Sequence, residues 1–258
     1  MSKILHEPFS YPFDIARSCF SVTESNIGYA PKLHISNSEL MFSTIATRLS
    51  STVPAGAPAI KTPVGLLTCG SNASPTRLKE KLATVAVPLA FAIRLQLREW
   101  IPVYAATLSY YGAIPATFER IPEASGEPFL IVTDIKNLND LMLSEQLTGN
   151  YDAYEVTRGT TDINTDFPVL AFIAKYGALR LGEKLLPLKE FQPASASDDL
   201  PTQREVIKLV LSSMNIPLTL KEYHERINNA SFVLDLRERI IAAFGTTPNV
   251  PGWLKVSL

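Results

Sequence analysis

The chain has 258 residues, 46% hydrophobic and 19% charged, a balance that fits a folded globular protein with a sizeable core and excludes a disordered one. Its 24 lysines and arginines nearly match its 25 aspartates and glutamates, and a net charge of −1 offers no global attraction to nucleic acid or to an anionic membrane. Two cysteines and three histidines, far apart in the chain, exclude a disulfide framework and any metal site of short ligand spacing.

In chain order, residues 1–9 lack the long apolar centre of a secretory signal, so the expected location is the cytoplasm, with Cys19 and Cys69 as reduced thiols. Prolines punctuate the first sixty residues. Leu40, Phe42, Ile45, Ala46 and Leu49 recur at near-helical spacing and predict a helix over 38–50, after which residues 52–62 read as a proline-rich linker. Short apolar runs at 64–69, 102–110, 113–118, 128–134, 153–158 and 168–176 read as strands, most of them separated by turn residues. The longest apolar run, 82–93, contains Pro88 and ends at Arg94, short of the roughly 20 residues of a membrane span, and reads as core. Helices are expected at 75–83 and 137–146, the second with Asn137 as N-cap. Beyond residue 188 the pattern turns helical. Thr202 and Glu205 form a capping-box pair, two more helices follow at 220–228 and 232–244, and Gly245 stops the last.

The stretch with most chemistry is the end of the 64–69 run. Gly70 can take a positive φ and has no Cβ to keep a ligand away, Ser71 and Asn72 add side-chain donors, and Ser74 and Pro75 read as the N-cap and first residue of a helix. Free N–H groups at a helix N-terminus suit a carboxylate or phosphate. Glu145 falls on or beside the apolar stripe of the 137–146 helix, where partial burial would raise its pKa toward that of a general acid/base. Asp152 and Glu155 are alternative acids. Tyr110, Tyr111 and Tyr151 are aromatic candidates for a pocket wall. Lys79-Glu80-Lys81 and Arg237-Glu238-Arg239 read as solvated helix faces.

Cys69-Gly70-Ser71-Asn72 resembles the Tyr-Gly-Ser-Asn motif of the gamma-glutamylcyclotransferase-like fold family, and Leu141-Met142-Leu143-Ser144-Glu145 is similar to its Leu-x-x-x-Glu segment. The segment 110–117 is similar to the small-residue strand that lines the family's cavity. The resemblance covers about residues 63–158, with a closing strand at 169–176. It departs from the family at Cys69, where the motif has tyrosine, and at Gln146, where glycine usually follows the glutamate.

The resemblance implies an α+β protein with a small mixed β-barrel of that type at 63–193, while the proline-rich linker and the helical pattern beyond residue 188 set off an N-terminal arm at 1–62 and a C-terminal helical subdomain at 194–258. It implies a cofactor-independent, metal-free enzyme acting on a γ-glutamyl or related amide. Glu145 would be the catalytic acid/base, and Cys69, Gly70, Ser71, Asn72, Tyr111 and Tyr151 the substrate-binding residues. A second class of function stays open at this point: a non-catalytic module that binds a small ligand, its flanks meeting a protein partner or a second copy of the chain.

Overall fold

The computed structural model describes residues 7–83, 85–146, 149–193 and 199–256; the side chains of Glu39, Asn139 and residues 142–146 fall outside that description. Strands β1 (Cys19–Thr23) and β2 (Ile27–Ala30) come first, then helix α1 (Phe42–Leu49), β3 (Pro63–Thr68), α2 (Pro75–Leu82), β4 (Leu89–Arg94), β5 (Leu97–Tyr104), β6 (Ala116–Gly126) and β7 (Phe129–Asp134). Helix α3 (Ile135–Gln146), β8 (Tyr151–Glu155), β9 (Val169–Ala174), β10 (Arg180–Leu181) and β11 (Lys184–Leu185) follow. The chain ends in α4 (Gln203–Ser213), α5 (Leu220–Arg226), α6 (Ala230–Phe244) and β12 (Leu254–Val256).

Eight strands form one mixed sheet in the order β12-β8-β9-β3-β7-β4-β1-β2, antiparallel throughout except where β3 meets β9. Both faces are covered, which is why the central strands read as unbroken apolar runs rather than alternating ones. Along β7, Phe129 and Ile131 enter the core beneath α2 to α6, whereas Leu130 and Val132 enter a second core under α1 with Trp100 and Trp253. Leu170 and Phe172 of β9 divide from Val169, Ala171 and Ile173 in the same way. The long hairpin of β5 and β6 forms a separate two-stranded sheet.

The architecture is α+β, but the expected barrel is corrected to an open sheet: among the described residues β2 and β12 are its edges and do not pair with each other. Its width exceeds the expectation because strands come from outside 63–193. β1 pairs with β4, and β12 pairs with β8, so the N-terminal and C-terminal segments share one sheet with the middle of the chain. The 102–110 run is also corrected. β5 ends at Tyr104, and residues 105–109 continue as a buried loop whose apolar side chains imitate a strand in sequence. Helix α3 begins at Ile135, and the carboxylate of Asp134, not Asn137, accepts the N–H of Lys136 in its first turn. Among the described residues no helix is long and apolar enough to cross a membrane.

Candidate functional site

The site is built where β3 runs out. After Thr68 the chain passes Cys69 and reaches Gly70 at φ +93°, ψ −144°, a conformation open essentially to glycine alone. One tight turn follows over Ser71–Ala73, closed by Ala73 N–H donating to Gly70 C=O at 3.0 Å. Ser74 then caps α2 by accepting the Arg77 N–H, and Pro75 is its first residue, as the sequence pattern requires. The Ser71 N–H donates to no described residue, and its turn leads directly into the Ser74 cap of this helix.

That turn forms one wall of a cavity of about 260 Å³. The loop after β5 supplies a second wall through Ser109, Tyr110, Tyr111 and Pro115, and the first residue of β8 adds Tyr151 beside Asn150. A segment near the N-terminus closes the cavity with Tyr11 and Phe13. The aromatic rings pack against one another, Phe13 lying 6.0 Å from Tyr111 in a tilted arrangement and 5.8 Å from Tyr11 edge-on, between centroids.

Of the residues expected to bind substrate, Cys69, Ser71, Asn72, Tyr111 and Tyr151 all line this cavity. Gly70 stands directly behind the lining, against the Tyr11 hydroxyl. Glu145 occupies the last turn of α3, five residues before Asn150 of the cavity wall; its side chain lies outside the described residues. Asp152 turns instead to Lys255, 2.7 Å away, and Glu155 is solvent-exposed, so neither belongs to the cavity.

Among the lining residues that sequence reasoning missed, Tyr11, Phe13, Arg77 and Lys81 bear most on ligand chemistry. Tyr11 and Phe13 precede the recognised segment by about fifty positions and carry no local signal. Lys81 was expected on a solvated face and Arg77 was not singled out, yet they stand four apart on α2 and the helix turns both toward the cavity. That i, i+4 spacing behind the Ser74 cap was the available clue. Lys81 Nζ donates to Asn72 Oδ1 at 2.5 Å, which consumes the amide oxygen and fixes which face of Asn72 presents its N–H groups. Arg77 pairs with Glu80 and lies 5.3 Å over the Phe13 ring.

The charged residues among the described lining are both cations. The Cys69 thiol donates to Thr117 C=O at 3.5 Å. Tyr151 Oη donates to Ala116 C=O at 2.8 Å, while Tyr11 Oη accepts the N–H of the same residue at 2.7 Å. Burial, followed by the neighbouring Tyr151, Tyr111 and Cys69, pushes the Tyr11 phenol well above its usual pKa, against the opposing pull of the Ala116 N–H. Its hydroxyl is therefore protonated at neutral pH. Among the described residues no group of three or more His, Cys, Asp or Glu side chains is placed to hold a metal ion.

No protein-family model matches this chain, and no curated protein matches it. Solved structures similar to part of it include the following two. An uncharacterized protein from Homo sapiens is 14% identical with a TM-score of 0.34, over 66% of this chain and 88% of that one. A gamma-glutamyl cyclotransferase is 13% identical with a TM-score of 0.35, over 69% of this chain and 99% of that one.

Proposed function

We propose that the cavity takes a small carboxylate-bearing amide of the γ-glutamyl type, and that the protein is a cofactor-independent cyclotransferase-like enzyme. The observation that carries this reading is the convergence of the Ser71 turn, the Asn72 amide, Arg77 and Lys81 on one enclosed volume. Together they supply main-chain hydrogens, a side-chain amide and positive charge for a carboxylate. The motif resemblance of 69–72 and 141–145 names the reaction class.

In this reading the turn holds the substrate's α-carboxylate, so the α-amine and the γ-amide carbonyl are held close together. Glu145 takes a proton from the α-ammonium, the freed nitrogen bonds to the γ-carbonyl carbon, and the amide C–N bond breaks. Glu145 then passes that proton to the departing nitrogen and relays to it the second proton shed by the ring nitrogen, which leaves 5-oxoproline, the amine as its ammonium and Glu145 again a carboxylate, with no outside co-reactant.

The test is release of 5-oxoproline from a panel of γ-glutamyl amines. Wild-type protein should turn over at least one of them, and Glu145→Gln should reduce kcat by about a hundredfold or more. Equal rates in both proteins would remove Glu145 from the mechanism. Protection of wild type against heating by these amines, without turnover, would replace the enzyme with a binding module.

A further inference from the structure

Tyr11 and Tyr151 grip the two ends of one residue with opposite polarity. Tyr151 gives its proton to the Ala116 carbonyl, whereas Tyr11 receives the proton of the Ala116 N–H. A phenol has one proton to give and two lone pairs. The Tyr11 proton is still to be placed: among the described residues no group accepts it, although the side chain is only 6% exposed. A buried donor without an acceptor costs stability, and the space it faces here is the cavity.

The position of that hydroxyl matters as much as its proton. A Cβ built on Gly70 would lie 2.1 Å from Tyr11 Oη, so the phenol occupies the place a side chain would have taken beside the anion-binding turn. A ligand oxygen seated at Ser71 therefore has the phenol for a neighbour. The segment that carries Tyr11 is itself anchored: Phe9 packs 6.2 Å from the Tyr223 ring and Arg204 sits 4.7 Å over Phe9, which holds the short helical turn Pro8–Ser10 against the C-terminal helices.

We propose that Tyr11 is a ligand-binding residue, supplied from the N-terminal segment, whose hydroxyl donates a hydrogen bond to the carboxylate of the acidic ligand held at the Ser71 turn. This rests on the acidic-ligand reading of the cavity and adds a specific contact to it. The hydroxyl touches the ligand's anchor, not its reacting carbonyl, so its removal weakens binding and raises KM while kcat changes little.

The experiment titrates 5-oxoproline, and its carboxamide analogue in which the carboxylate is replaced by a neutral amide, into wild type and Tyr11→Phe. Loss of a charge-assisted hydrogen bond should weaken 5-oxoproline about tenfold, with a distinctly smaller loss for the carboxamide. A purely structural role, through the Ala116 N–H, would lower Tm and weaken both probes equally. Equal weakening, or unchanged 5-oxoproline affinity in a folded variant, overturns the assignment of Tyr11 and leaves the acidic-ligand reading standing. Failure of wild type to bind 5-oxoproline overturns both. If Tyr11→Phe does not fold, wild type labelled with 13C at the tyrosine ζ position gives the same answer. The Tyr11 resonance should shift when 5-oxoproline is added while that of Tyr223 stays still, and an unmoved Tyr11 resonance overturns the proposal.

Discussion

At the scale of single residues, Gly70 is where backbone conformation and site chemistry meet. Its positive φ excludes other residues for conformational reasons, and the Tyr11 hydroxyl excludes them for steric ones. Gly70→Ala should destabilise the protein by about 3 kcal/mol, combining backbone strain with overpacking. The two causes separate in a double mutant. Adding Tyr11→Phe removes the oxygen that clashes but leaves the strained φ, so chemical denaturation should show the pair to be markedly less damaging than the sum of the singles. Additive losses would mean that Tyr11 and Gly70 do not share this space. The glycine was legible in the sequence because turn chemistry is local. Its steric partner was not, since nothing near Tyr11 announces a contact 59 positions away.

At the scale of elements, signals written within a few neighbouring residues proved readable. Both the Ser74-Pro75 start of α2 and the Thr202–Glu205 capping box of α4 exist as their sequences require, and a second capping box at Thr219–Glu222 starts α5. Asn137 shows how such a signal misleads. It lies inside α3 and is buried, donating to Val87 C=O and Thr133 Oγ1, a role created only by β7 and the segment leading into β4. Asp134 caps the helix instead. Burial opposes its charge, but the N–H groups of Lys61, Lys136 and Thr62 outweigh that and hold its carboxyl below the usual range. Its folded pKa lies under the unfolded value of about 3.9, so it contributes stability that is complete above that pH and lost as pH falls through the folded value. Replacing Asp134 with Ala should cost about 2 kcal/mol at neutral pH. Measured by urea unfolding from pH 7 down to pH 2, the gap between the two proteins should narrow only at the acidic end. A gap independent of pH would assign the loss to packing rather than to the charge.

At the scale of the whole molecule, the C-terminal helices hold the cavity's aromatic wall in place. Tyr223 of α5 donates to Gly112 C=O at 2.5 Å, Arg237 of α6 donates to Leu108 C=O at 2.8 Å, and the Gln203 amide of α4 meets both backbone groups of Ile114. Arg237 had read as part of a solvated charge run. The loop from Leu108 to Ile114 is thus pinned from three helices that lie about a hundred residues further on. Tyr223→Phe leaves the ring and removes one of these bonds, exposing a buried carbonyl without a donor. It should lower stability by about 1 to 2 kcal/mol and speed amide hydrogen exchange across 109–113 more than in β3 or β7. Uniform acceleration throughout the chain would show that the helices stabilise the protein globally and do not hold this loop in particular.

By itself, the sequence determined the pieces whose causes are local. These are the strand-turn-helix at 63–82, the capped helices, the apolar runs that become the central strands, and six candidate residues that line the cavity. Only the tertiary structure decided that the sheet stays open with strands from both ends of the chain. It also decided that Lys81 reaches back to Asn72, and that Tyr11 closes the pocket. The division has a physical basis. Capping, turn and periodicity arise from interactions within a few residues, whereas sheet edges and cavity walls are made by groups whose meeting depends on how every intervening segment packs.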